Sequence, residues 1–195
     1  MRSPTRKLLS GVAVLAAALA LGACGDSHTK VTTGTYAGES GANAPYLNVG
    51  PLVYEVQLSR ELNPTNEEDA AYLRGLGAAE SKLEPGQEWF AVFVQVYNNG
   101  DHSQRAAETM TITDTQGNSY APIVPSSINS YAYRGGVVAA KGQIPPPDTT
   151  ADSGPTQGSL LLYKIKVQSL DNRPLELKIT NPEDLAESAS AELDV

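Results

Sequence analysis

The chain has 195 residues, 41% of them hydrophobic, with 22 acidic side chains against 14 basic ones and a formal net charge of −8. An acid excess of this size excludes a general electrostatic attraction to nucleic acid or to an anionic membrane surface. The single cysteine, Cys24, excludes a disulfide within the chain, so stability must come from an apolar core, which one domain of this length can supply.

Arg2, Arg6 and Lys7 open the chain, and Leu8 to Gly25 carries no charge. Its centre, Gly11 to Leu21, is Ala, Leu and Val almost throughout. A positive start, a short apolar run and small residues at its end make a secretory signal. The run closes on Leu21-Gly22-Ala23-Cys24, which resembles the lipobox of bacterial lipoproteins at all four positions. Gly22 and Ala23 are small enough for a peptidase to accept, and the thiol of Cys24 is the nucleophile that takes a diacylglycerol group. The expectation is a signal peptide over residues 1–23 and a lipidated Cys24 that holds the protein on the outer, extracytoplasmic face of the cell membrane. One acyl chain binds a bilayer only marginally; a diacylglyceryl cysteine supplies two. An uncleaved span and an ordinary secretory signal compete with this reading, since the apolar run reaches the lower limit of spanning length.

Residues 24–45 are rich in Ser, Thr, Gly and Ala and read as a flexible tether. Leu52, Tyr54, Val56 and Leu58 then alternate with Val53, Glu55 and Gln57, the period of a half-buried strand. In Asn63 to Gly77, Asn66 can cap a helix, and Glu67, Glu68 and Asp69 sit in its first turn. Tyr72, Leu73 and Leu76 would face inward from one short helix, and the acidic triplet complements its dipole. Pro85-Gly86 turns the chain. Glu88 to Tyr97 is the strongest strand: Phe90, Val92, Val94 and Val96 make one apolar face, and Trp89, Ala91 and Phe93 make most of the other. Such a strand belongs in the middle of a sheet. Asn98-Asn99-Gly100-Asp101 ends it.

Thr109 to Thr113 and Ser119 to Val124 form a hairpin around Gly117. Ile128 to Tyr133 is a further short strand. Gly135 to Gly158, with its three consecutive prolines, is a long loop. Leu160 to Val167 is a strand with Leu161, Tyr163, Ile165 and Val167 inward, and Leu175, Leu177 and Ile179 mark the last one. Residues 183–195 read as a frayed acidic tail. About seven strands, turns between them and one short helix define an all-β, immunoglobulin-like antiparallel sandwich over residues 46–182.

Three segments carry a wider resemblance: Trp89 to Asn99 (WFAVFVQVYNN), Thr111 to Tyr120 (TITDTQGNSY) and Ser159 to Ile165 (SLLLYKI). In that order behind a lipobox, they resemble bacterial surface-lipoprotein domains of unknown function with a telokin-like immunoglobulin fold, similar to secreted mycobacterial immunoprotective antigens. The resemblance covers about residues 46–182, implies that fold and brings no catalytic residues with it. The proline-rich 135–158 loop departs from the pattern.

No catalytic constellation can be assembled. His102 is the only histidine within the domain and follows a polar turn, which places it in solvent. No nucleophile elbow accompanies it, and two histidines with one acylated cysteine are too few for zinc. Asp114 to Asn118 lacks the second carboxylate and the distant glutamate of a calcium loop, and reads as a turn. Trp89 reads as core packing. Tyr131, Tyr133 and Arg134 are residue types favoured at protein contacts and form the candidate partner surface. The expectation is a non-enzymatic, lipid-anchored binding or structural module with no cofactor, no metal and no nucleic acid, meeting a protein or envelope partner. A solute-capturing lipoprotein of a transporter, and a hydrolase, remain as alternatives.

Overall fold

A computed structural model describes residues 29–32 and 46–193. In chain order the elements are β1 (Thr29–Thr32), β2 (Tyr46–Val49), β3 (Leu52–Leu62), α1 (Glu67–Tyr72), β4 (Gln87–Tyr97), β5 (Gln104–Ala106), β6 (Met110–Thr113) and β7 (Ser119–Tyr120). There follow β8 (Gly136–Val138), β9 (Gln143–Ile144), α2 (Thr150–Ser153), β10 (Ser159–Lys166), α3 (Val167–Asp171), β11 (Leu175–Thr180) and β12 (Ser188–Leu193). One sheet runs β1-β12-β11-β6-β7 and the other β10-β4-β3-β2, with β9 also pairing to β4 and a small β5–β8 ladder beside them. Apart from the parallel β1–β12 pair, every ladder is antiparallel. The protein is an antiparallel β-sandwich.

The period-two faces of the sequence build its centre. Phe90, Val92, Val94 and Val96 of β4 are fully buried against Met110 and Ile112 of β6 and Leu177 and Ile179 of β11 in one continuous core. Three tyrosines cross this core and end on the segment that leads from β5 into the first residue of β6. Tyr54 Oη accepts from the Ala107 N–H at 2.8 Å, Tyr133 Oη donates to the Ala107 carbonyl at 2.6 Å, and Tyr163 Oη donates to the Met110 carbonyl at 2.8 Å. A buried hydroxyl needs such a partner.

The other face of β4 is buried too, under a second layer. Trp89, Ala91 and Phe93 pack with Leu160 and Leu162 of β10, Leu62 of β3 and Tyr72 of α1. Asn66 caps α1 as its sequence implies, with Oδ1 accepting from the N–H groups of Glu68 at 2.9 Å and Asp69 at 3.2 Å. The Tyr72 ring stands edge-on to Phe93 and Tyr131, with centroids 5.0 and 4.9 Å away.

A β-bulge in β3 sends one strand into both layers. The register jumps from Val56↔Val94 to Leu58↔Phe93, which leaves Gln57 without a rung. Before the bulge, Leu52, Tyr54 and Val56 face the main core; after it, Leu58 and Leu62 face the second layer. The even-numbered residues thus change face without breaking their spacing, and Leu58 does not join Leu52 as simple alternation predicts.

Other expectations are corrected. The expected frayed acidic tail over 183–195 is ordered as far as the described residues reach: β12 pairs with β11 through six residues, and Ala189, Ala191 and Leu193 join the main core. Its inward side chains are mostly alanine, which hides the strand from any search for bulky residues. Within the expected tether over 24–45, Thr29–Thr32 pairs with β12; the rest of that segment, Cys24 included, lies outside the described residues. The 135–158 loop contains β8, β9 and the single turn α2, and a further single turn, α3, follows β10, so the helix across the connection is not alone. Ile128 to Tyr133 forms no strand; only Ala132 bridges to Leu160. Val167 begins α3 and is 46% exposed rather than inward.

Candidate functional site

Tyr131, Tyr133 and Arg134, expected from the sequence as a partner surface, are not presented together to solvent: only Arg134 is exposed. Tyr133 is 3% exposed and belongs to the main core. Its backbone N–H donates to the Leu160 carbonyl at 2.8 Å, which steers the ring between the sheets, and burial there pushes its phenol far above the ordinary range. Tyr131 is half-buried against Tyr72 in the second layer. The Arg134 guanidinium turns back on its own loop, donating to the carbonyls of Ser126 at 2.7 Å and Pro125 at 3.1 Å.

These residues hold the loop between β7 and β8 rigid instead. Asn129 is its pin: Nδ2 donates to the carbonyls of Tyr72 at 2.8 Å and Arg74 at 2.9 Å, and Oδ1 accepts from the Tyr131 N–H. The Ser126 N–H reaches the Gly75 carbonyl at 2.8 Å. Gly75 has φ +81°, and a Cβ there would stand 2.7 Å from Ser126 Oγ, so the close approach depends on glycine. This braced loop exposes two aliphatic side chains, Ile128 at 77% and Val124 at 57%, among the exposed Ser126, Ser127, Ser130 and Arg134. β-Branched side chains are stiff at χ1, so a braced backbone presents them with little freedom left to lose on binding. The sequence signal was an aliphatic residue on each side of Pro125-Ser126-Ser127, outside any run that would bury it.

Elsewhere the polar features serve the fold. Asp114 accepts from the N–H groups of Gln116 and Asn118, from Asn118 Nδ2 and from Asn172 Nδ2, and so ties the β6–β7 hairpin to the turn before β11. Burial pushes its carboxyl up, but the bonds from Ser169, Asn118 and Asn172 outweigh that and hold it far below the usual carboxylate range. Trp89 is buried in packing, with Lys164 Nζ 5.3 Å from its ring centroid. His102 is exposed. A groove of about 440 Å³ beside Trp89 is lined by Glu61, Asp69 and Glu88, but Asp69 is already engaged by Arg60 at 2.5 Å and the Asn63 N–H at 2.8 Å. A second open groove, about 560 Å³, lies between Arg105 and Leu185. Among the described residues no three His, Cys, Asp or Glu side chains are placed to hold a metal ion. No helix of the described residues is long and apolar enough to cross a membrane.

On the outer face of β3 and β4, Glu55, Gln57 and Gln95 are buried together, with Tyr97 half-buried beside them. Gln57 Nε2 donates to Gln95 Oε1 at 3.1 Å, and Tyr97 Oη donates to the same oxygen. Burial raises the Glu55 carboxyl above its ordinary value, although bonds from Gln57 and Tyr97 oppose the shift.

No protein-family model matches the chain, and no curated protein matches it. Several solved bacterial structures are similar in outline. The yjhA protein from Bacillus subtilis is 13% identical, with a TM-score of 0.49 over 80% of this chain and 99% of that one. The ycdA protein from Bacillus subtilis, described as a candidate lipoprotein, is 11% identical, with a TM-score of 0.48 over 78% of this chain and 39% of that one. An uncharacterized β-sandwich protein from Clostridium difficile 630 is 9% identical, with a TM-score of 0.43 over 79% of this chain and 93% of that one.

Proposed function

We propose that the protein is a lipid-anchored module of the cell envelope that binds a protein partner through the loop carrying Val124 and Ile128. It is held outside the cytoplasmic membrane by an acylated Cys24 and performs no catalysis. The observation that carries the binding assignment is the rigid presentation of two exposed aliphatic side chains by Asn129, Arg134 and Gly75. Loops braced on a rigid scaffold are where binding surfaces concentrate, and exposed apolar anchors are the residues a partner desolvates. The Leu21-Gly22-Ala23-Cys24 motif supports the anchor. The likeness of the three ordered strand segments to telokin-like surface-lipoprotein domains is consistent with the anchor. Solute capture is less favoured, because the two grooves are open to solvent, whereas solute sites are enclosed and mostly apolar.

The test is a pair of variants in the full chain. Val124→Asp/Ile128→Asp should leave the urea midpoint unchanged and abolish in-cell cross-linking of whatever envelope protein the wild type captures. Retained cross-linking would refute the loop as the binding surface. Cys24→Ser should release or mislocalise the protein and change the mass of its N-terminus; unchanged membrane association at unchanged mass would refute the anchor.

A further inference from the structure

Among the described residues, the sheet edges other than β12 are short, covered or, in β3 beyond the end of β2, interrupted by the bulge at Gln57 and charged at Arg60 and Glu61. β7 has two residues and β2 has four. The free side of β10 is crossed by the segments around Ile123 and Ala132. The exception is β12, whose Ser-Ala-Ser-Ala-Glu-Leu sequence presents six residues with a single charge. An edge of that kind, left open, would recruit foreign strands. It is closed by β1, in parallel register from Thr29↔Ser188 to Thr32↔Ala191.

That closure is weak by construction. A four-residue edge strand returns only a few backbone hydrogen bonds, and each net bond is comparable to or smaller than the entropy lost in ordering its residue. Its direction is fixed, however. Parallel pairing brings the chain in at the Ser188 end of β12, beside the turn between β11 and β12 that carries Glu183 and Leu185. Thr29 follows Cys24 by five residues, which extend to at most about 17 Å. Tyr46, where β2 begins, follows it by twenty-two, which extend to about 75 Å.

We propose that Thr29–Thr32 is a latch that sets how far the sandwich stands from the bilayer. Docked on β12, it holds the Glu183–Leu185 end against the membrane and covers the open edge. Released, it pays out the whole tether, frees the sandwich to turn, and exposes β12 to an incoming strand. The latch rests on the reading of Cys24 as the lipid attachment site, and its test separates the two. In the full chain, Lys30→Pro/Val31→Pro removes two adjacent backbone donors, so at least one rung is lost whichever residues face β12.

Two measurements are made. Hydrogen exchange on the Cys24→Ser chain reads docking without the lipid. In the proline variant the alternate β12 amides facing β1 should exchange about tenfold faster, while those facing β11, and all of β4, keep their protection. Energy transfer on the lipidated chain reads distance, from a dye on Leu185→Cys to headgroup-labelled lipids in vesicles. The proline variant should lose most of the transfer that the wild-type strand gives. Equal exchange in both chains overturns the latch outright. Faster exchange with unchanged transfer overturns its control of distance. A wild-type chain that carries no lipid removes the anchor and the distance function together, while exchange still reports docking. A dimer that the prolines dissociate shows that β1 of a second copy fills the edge, which overturns closure within one chain.

Discussion

Replacing Tyr54 by Phe removes one oxygen and almost no apolar area, so its effect isolates a single hydrogen bond. Ala107 is 1% exposed and Tyr54 is 0% exposed, so water cannot replace the hydroxyl for the Ala107 N–H it serves at 2.8 Å. Orphaning a buried donor costs about 1–3 kcal/mol, a large part of a total stability of about 5–15 kcal/mol. With a urea m-value of about 1–3 kcal/mol/M, the midpoint should fall by about 1 M at unchanged slope. Tyr133→Phe strips the carbonyl of the same residue, and carbonyls tolerate loss better than N–H groups, so its cost should be smaller. Because both hydroxyls grip Ala107, the double variant should be non-additive, whereas Tyr163→Phe, acting at Met110, should add to either. Urea melts of the three single variants and the Tyr54/Tyr133 double decide the point. A Tyr54→Phe midpoint indistinguishable from wild type would show that the β5–β6 segment is not staked to the core as described.

Further outcomes follow from the bulge and from the buried carboxylates of Glu55 and Asp114. Deleting Gln57 leaves Val56–Val94 and Leu58–Phe93 as successive rungs, so it should cost about 1–2 kcal/mol for the lost Gln95 bond, whereas inserting alanine after Ser59 turns Leu62 to the wrong face and should unfold much of the population in urea melts. Glu55 has a raised folded pKa, so the stability it contributes is present in its protonated form and is lost as pH rises from about 4.5 through that raised value. Glu55→Gln should therefore gain on wild type between mildly acid and neutral pH, and parallel pH–stability curves would contradict this. Asp114 is the opposite case: its depressed pKa makes its contribution present above the ordinary 3.8 and lost only as pH falls through the much lower folded value. Asp114→Ala should cost about 2–3 kcal/mol at pH 7, and melts at pH 4 should still show most of that difference.

Legibility of the fold in the sequence tracked side-chain size. β4, β10 and β11 announce themselves because large apolar residues alternate along them, and Asn66 with its acidic first turn marked α1. β12 alternates equally well, but its inward residues are mostly alanine, and small residues at that spacing look like a solvated tail. The bulge was invisible for a different reason: inserting Gln57 preserves an unbroken even-numbered apolar series while moving its second half to another layer. The hairpin return after Gly117 pairs through only Ser119 and Tyr120, since Pro122 and Pro125 remove donors a longer strand would need. At the candidate site, composition singled out Tyr131, Tyr133 and Arg134, of which the structure buries Tyr133 in the core. Tyr133 and Arg134 are the braces, and Val124 and Ile128 are what the braces hold out; only tertiary contacts distinguish the two roles.

Trp89 is the chain's one tryptophan, and it sits in the layer outside β4 rather than between the sheets. Its emission therefore reports on α1 and the surrounding loops, while far-ultraviolet dichroism reports on the strands. Monitored together during denaturation, the two signals measure whether this polypeptide melts as one cooperative unit. Superimposable curves would make the outer covering an integral part of the domain. Emission that changes first would mark that covering as a separate foldon, able to lift away and lay the Phe93 face of the sheet bare while the inner strands stay paired.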